Sequence, residues 1–367
     1  MSAAKERALS AELLSDMQRM VDAHGRPIRI MEVCGTHTVA IFRAGLRQVL
    51  PEGVELVSGP GCPVCVTADE YIDSAICYAK EPDVIITTFG DMLKVPGTRT
   101  SLAAVQAAGA DVRVVYSPLD ALRTAKEHPE KHVVFLAVGF ETTAPTEAAA
   151  VLMAEQQGLR NFFMLSAQKL VPPVMHTLLD GGEVHVDGFL LPGHVSVVTG
   201  TEAFRFLADE YGVPGVVGGF APLQILRALH MLVCRIVRGQ ARVENAYESV
   251  VRVQGNPAAR AAIARVYEPA AASWRGLGVI AQSGLSMRAA YRRFDFAAVR
   301  PVTIPAQRAR TDCRCGEVLR GAIHPQDCAL FGRACVPEHA IGPCMVSVEG
   351  TCAAWYKYGG GRFRYGA

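Results

Sequence analysis

Eight short runs rich in β-branched and aromatic residues punctuate residues 28–220, and amphipathic stretches separate them. The runs are "IRIMEV" (28–33), "VELVSG" (54–59), "DVIITTF" (83–89), "VRVVYS" (112–117), "HVVFLAVG" (132–139), "NFFMLSA" (161–167), "VDGFLLPG" (186–193) and "GVVGGF" (215–220). They are near-continuously apolar rather than alternating. Strands of that kind are buried on both faces, which requires parallel sheets covered by helices. The expected fold class is therefore α/β. Eight strands can form one large sheet or two smaller ones. "MEVCGTHT" (31–38) and "LAVGFETT" (136–143) share a layout of buried strand, glycine and threonine-bearing turn that opens a helix. That repetition points to two similar lobes facing a cleft. Ligands of such sheets collect beyond the carboxyl ends of the strands. The expected division is an N-terminal helical segment (1–27), a first lobe (28–127), a second lobe (128–237) and a mixed helical, loop-rich C-terminal domain (238–367). The lobe boundary is placed in the charged stretch "AKEHPEKH" (125–132). In the last segment, "VENAYESVVRVQGNPAARAAIARVYEPAAASWRGLG" reads as broken helices and "YRRFDFAAV" as a strand.

Half of the 367 residues are hydrophobic, which is ample for buried cores, and the formal net charge is only +2 with both signs interspersed. Neither a nucleic-acid partner nor a membrane surface is indicated. The first twenty residues read as an amphipathic helix without the apolar centre of a signal peptide. No apolar run reaches the roughly 18 residues of a spanning helix. A soluble cytoplasmic protein is expected.

Cysteine usage is the anomaly. The chain has 11 cysteines, many for a compartment where stable disulfides are rare. Six of them, Cys313, Cys315, Cys328, Cys335, Cys344 and Cys352, fall in one loop-rich stretch. Zinc ribbons present tight C-x2–4-C knuckles, and none occurs there. Wide spacing on loops suits a [4Fe–4S] cluster, which takes four thiolates from all sides. Zinc, or buried thiols without metal, are the alternatives. Cys315, Cys328, Cys335 and Cys352 are the expected ligands. Cys313 and Cys344 are set aside, with Cys344 the substitute fourth ligand. Cys77 and Cys234 lie in apolar helical patterns and read as inert core residues.

Two further thiol sites sit at strand ends. "GPGCPVC" follows the second strand, and Cys62 and Cys65 are a dithiol/disulfide candidate in a βα turn. Half of a zinc site, with Cys34 and His37 completing it, is the competing reading. A helix expected over "TADEYIDSAICYAK" would lower the thiol pKa of Cys62 near its N-terminus. In "EVCGTHT", Cys34 ends the first strand and His37 follows. A thiolate and an imidazole at that spacing can share a metal or act as nucleophile and base. Consecutive parallel strands are commonly neighbours, so these thiols can open on one cleft. Glu141, Thr142, Thr143, His194 and Ser196, also at strand ends, are candidates for its other wall and for cofactor binding. No sound nucleotide motif is present.

Together "CGTHT", "GPGCPVCVT", "GFETTAPT", "PGHVS" and "CALFGRACVP…GPCMVSVEGTCAAWY" resemble the HypD family of hydrogenase maturation factors, over residues 31–356. The resemblance implies a role in building the Fe(CN)2CO unit of [NiFe]-hydrogenases. It implies a small HypC-like chaperone and a HypE-like cyanide donor as partners. It also implies two α/β domains and a domain carrying a [4Fe–4S] cluster. By motif, Cys34 would ligate the mononuclear iron that carries CN and CO, with His37 beside it. Cys62 and Cys65 would exchange electrons. Many members have a second histidine two residues after that of the CGTHT motif. Here that place is Val39, so the role of that histidine is dispensable here or filled by another residue. The expectation is an assembly scaffold with redox capability rather than a conventional metabolic enzyme. The rivals are a cluster-dependent thiol–disulfide oxidoreductase and a zinc-stabilised binding module.

Overall fold

The computed structural model describes residues 2–182, 185–304 and 312–359. The eight apolar runs become β1 (Ile28–Glu32), β2 (Val54–Ser58), β3 (Val84–Thr88), β4 (Val112–Val114), β5 (His132–Ala137), β6 (Phe162–Ser166), β7 (Gly188–Pro192) and β8 (Gly215–Gly218). All are paired in parallel, in two sheets. The first sheet has the order β2-β1-β7-β8-β9, with β9 spanning Val243–Asn245, and the second the order β4-β3-β5-β6. Helices cover both faces. Phe135, Phe162 and Phe189 are fully buried, each contributing roughly 1.5–3 kcal/mol of hydrophobic stabilisation.

The strands do not divide at 127/128 as the consecutive partition anticipates. The chain builds β1 and β2, leaves to complete the whole second sheet, and returns to the first at β7. Each βα crossover looks alike in sequence, so the pattern does not say which sheet the next strand joins. β1 and β5, the strands that precede the two matching turns, are inner strands of different sheets. The N-terminal helix Ala3–His24 is a layer of the first sheet, with Met17 and Val21 packed into the core around Ile28, Ile30 and Leu229. β9, expected beyond the lobes, is an edge strand of that sheet.

The C-terminal third departs further from expectation. After the helix Pro257–Val266 the chain forms an antiparallel hairpin, β10 (Tyr267–Trp274) and β11 (Gly278–Met287), bulged between Ala270 and Ala272. Alanine-rich sequence favours helix locally. Here Gly276 and Gly278 supply the positive φ values (75° and 77°) that the reversal needs, and tertiary packing of Trp274 overrides propensity. "YRRFDFAAV" is not a strand. It falls in a 3-10 turn, Ala289–Phe294, and a short helix, Phe296–Val299, which bury Tyr291, Phe294 and Phe296. The cysteine-rich segment consists of short helices, Cys315–Leu319, Pro343–Val346 and Thr351–Tyr358, joined by loops. Among the described residues no helix is long and apolar enough to cross a membrane.

Candidate functional site

Cys34 follows β1 and is the N-cap of the helix Gly35–Arg43. Its neighbour β2 ends beside it, because the two strands pair in register from Ile28–Val54 to Glu32–Ser58. The loops beyond are pressed together. The Gly35 amide donates to the Gly61 carbonyl (2.9 Å), and a Cβ on Gly61 would overlap the backbone nitrogen of Cys34. On the other side, a Cβ on Gly35 would lie 2.7 Å from Glu349, and Thr36 Oγ1 donates to Glu349 Oε1 at 2.7 Å. Glycine is therefore required at both positions by close approach. Cys34 is 8% exposed, and burial pushes its thiol up to about 12. Without a cation beside it, this sulfur keeps its proton.

His37 is fully buried. Its Nε2 lies 3.0 Å from the Gly219 carbonyl, which can only accept, so Nε2 carries the hydrogen and Nδ1 the lone pair. Nδ1 has no partner. Burial lowers the imidazole pKa to about 4, so the ring is neutral. Phe220 packs tilted against this ring (4.7 Å) and stacks on His194 (4.0 Å). His194 opens the helix Gly193–Thr199 after β7, and β7 pairs with β1. His194 thus stands on the same sheet as Cys34. Ser196 is buried and donates to the Pro192 carbonyl at 2.8 Å, a bond within its own helix.

Cys62 and Cys65 are joined in a disulfide, with Cα atoms 5.3 Å apart. Cys62 caps the single turn Pro63–Val66, and the longer helix starts only at Asp69. The macrodipole at Cys62 is therefore that of one turn, weaker than a continuous helix would supply. The pair is 3% and 0% exposed. It belongs to an apolar cluster that gathers Met31 and Val57 from the first sheet, Phe140 from the β5 turn, Trp274 from the hairpin, and Cys315 and Cys344. Cys65 Sγ lies 4.0 Å from the Pro343 carbonyl.

Glu141, Thr142 and Thr143 follow β5, in the other sheet. Phe140 stacks on Trp274 (6.2 Å) and so brings this turn to the thiol pair. Glu141 Oε1 accepts from the Val171 amide (2.9 Å), while Oε2 is buried without a partner. Burial raises its carboxyl pKa to about 7. Thr143 donates to the Phe140 carbonyl at 3.3 Å and accepts from Gln168 Nε2 at 3.0 Å, which is turn chemistry. The five residues expected on one wall are thus split between the two sheets.

All six C-terminal cysteines line one small cavity of about 20 Å³, with Val318, Leu330, Phe331 and Met345. Cys313 and Cys344, set aside from spacing, are part of it. Cys315 Sγ and Cys344 Sγ are 3.1 Å apart. Hydrogen bonds from Cys313 and Cys344 hold the Cys315 thiol below the usual range and raise theirs in return. The donor set is soft, all sulfur, and walled by apolar side chains, which fits an iron–sulfur cluster. Among the described residues no group of three or more His, Cys, Asp or Glu side chains is disposed to hold a metal ion. Cys77 and Cys234 are only half-buried, against the expected full burial.

The family model HypD, described as "Hydrogenase formation hypA family", matches residues 8–359. The chain belongs to the HypD family. It is 45% identical over 367 residues to the hydrogenase maturation factor HypD of Rhodobacter capsulatus, covering 98% of this chain and 97% of that protein. It is 48% identical over 337 residues to HypD of Escherichia coli K12, covering 91% and 90%. It is 43% identical over 363 residues to HypD of Rhizobium leguminosarum bv. viciae, covering 96% and 94%. The HypD resemblance read from five motifs therefore holds over nearly the whole length.

Sequence reasoning missed four neighbours of the site. Phe220 links the two histidines, Trp274 links the hairpin to the thiol pair, and Glu349 packs on the CGTHT turn. Glu32, fully buried on β1, accepts from Thr38 Oγ1 at 2.6 Å. Only Glu32 had a legible signal, a carboxylate inside an apolar strand.

Proposed function

We propose that this HypD-family chain is a scaffold and redox component for assembling the Fe(CN)2CO unit of [NiFe]-hydrogenases. It would act with a HypC-like chaperone and a HypE-like cyanide donor. The carrying observation is the convergence of three thiol groups. The Cys34 turn is bonded to the loop of Cys62, and the Cys62–Cys65 pair packs against the cysteine-rich segment at Pro343. The iron is cargo, and Cys34 is its ligand from this chain. A low-spin iron carrying CN and CO takes soft donors, and a second thiolate from the partner would complement Cys34. Binding would displace the thiol proton that burial otherwise retains. The lone pair on His37 Nδ1 is the acceptor available to the bound unit or its protons. The disulfide of Cys62 and Cys65 opens on gaining two electrons and two protons, and its re-formation returns them.

Cys315, Cys328, Cys335 and Cys352 are the proposed ligands of a [4Fe–4S] cluster, with Cys344 as substitute. A cluster core has bulk of its own and spans thiols that one ion would not reach. When bound it would supply single electrons close to the thiol pair. Infrared spectroscopy of the chain purified anaerobically with its small partner tests the reading. Bands of iron-bound CN and CO are expected. Cys34→Ser should abolish them while leaving the cluster absorbance intact, and full-intensity bands in that variant would refute Cys34 as ligand. A thiol–disulfide oxidoreductase would instead work without the small partner.

A further inference from the structure

Lys169 stands where the chain leaves β6, and its surroundings hold it firmly. Its amide donates to the Gly139 carbonyl (3.0 Å), and the next amide, of Leu170, donates to Ser283 (2.9 Å). On the hairpin side Lys169 is bridged to Gly284. Gln168 beside it is fixed by Glu147 Oε1 at 2.7 Å. Lys169 as a whole is 5% exposed. Lys169 lines a cavity of about 380 Å³ between the outer edge of β6 and the hairpin. Among the described residues its ammonium makes no hydrogen bond and no ion pair. Its Nζ is not one of the sealed polar atoms without a partner; it is reached from the cavity, where water or a bound anion satisfies its charge.

The walls restrict what that could be. Met164, Leu165, Met287 and the alanines at 270–272 make most of the cavity apolar. Glu70 and Asp295 also line it. Asp295 is bridged to Met164 and Lys169 to Gly284, and among the described residues the acid and the amine form no ion pair. The Asp295 carboxylate in the same cavity disfavours a multiply charged anion. A single negative charge on a small apolar body meets both conditions, charge at the amine and hydrocarbon along the walls. Burial lowers the Lys169 pKa to about 8, so at neutral pH the amine is still mostly charged.

We propose that this cavity is a second ligand site, in which Lys169 binds the carboxylate of a small organic monoanion. No residue of it is assigned above to the iron, the thiol pair or the cluster, so the inference stands apart from the assembly reading. The test is calorimetric titration of the full chain with sodium butyrate, with 1-butanol and sodium chloride as controls. Butyrate should bind saturably, butanol and chloride should not, and Lys169→Met should weaken butyrate at least tenfold. Methionine replaces a buried amine by an apolar chain of similar length, so the variant is expected to fold. A second measurement needs no variant. Butyrate should slow acylation of Lys169 in the wild-type chain, read by peptide mass spectrometry. Absence of saturable binding, undiminished binding by Lys169→Met, or an acylation rate indifferent to butyrate would each overturn the proposal.

Discussion

Three buried carboxyls surround the site, and burial has the same effect on each. Glu32 and Glu141 are raised to about 7 and Glu147 to about 8. Glu147 is 1% exposed, with one oxygen bonded to Gln168 and the other without a partner. A raised carboxyl pKa means that the folded state holds a proton that the unfolded chain releases near the ordinary value of 4.5. The contribution of Glu147 is thus fully present below about pH 4.5. It is lost as pH rises through about 8, because the unfolded state then binds fewer protons. Glu147→Gln mimics the protonated acid and removes this dependence. Its melting temperature relative to wild type should rise between pH 5.5 and 8.5, and an unchanged difference across that range would contradict the burial argument.

Among the elements, the cysteine-rich segment is the least self-sufficient. Its helices span five, four and eight residues, too short to be stable alone. Its cysteines point at one another across a cavity rather than at long apolar faces. A metal cluster can supply the folding energy such a segment lacks. Anaerobically purified protein should contain iron and acid-labile sulfide. Cys328→Ala and Cys335→Ala should each lose both, as read by colorimetric iron and sulfide assays. Stoichiometric zinc without sulfide would refute the cluster. The hairpin β10–β11 is the opposite case, an element stabilised by what it packs against. Trp274 is 1% exposed and donates through Nε1 to Ser283 Oγ at 2.8 Å, while Arg275 Nε donates to the Thr67 carbonyl at 3.0 Å. The first bond is internal to the hairpin, and the second ties it to the loop that follows the thiol pair.

At the scale of the molecule, the thiol pair lies in the seam where both sheets, the hairpin and the C-terminal segment meet. Such a location excludes water and shields the sulfurs from reagents. After reduction in the native state, a bulky maleimide should therefore label Cys62 and Cys65 far more slowly than it does in urea. Quenched mass spectrometry over time would read this, and native labelling as fast as denatured labelling would contradict the burial. A partner that opens the seam should accelerate the reaction.

Composition and periodicity determined the strands, because a strand buried on both faces must be continuously apolar wherever it sits. The motifs likewise marked Cys34, His37, Cys62 and Cys65, since chemistry at strand ends is written in short, local stretches. Which sheet each strand joined was not legible. β2 and β3 are consecutive yet separate, because pairing is decided by non-local packing rather than by anything in the crossover between them. The hairpin was hidden for a related reason, its alanines preferring helix until Trp274 found its place in the core. Only the tertiary structure gathered six thiols widely spaced in sequence around one cavity. It alone set Phe220 between two histidines and left the amine of Lys169 facing a cavity, because burial and contact belong to the assembled chain and not to any single stretch of it.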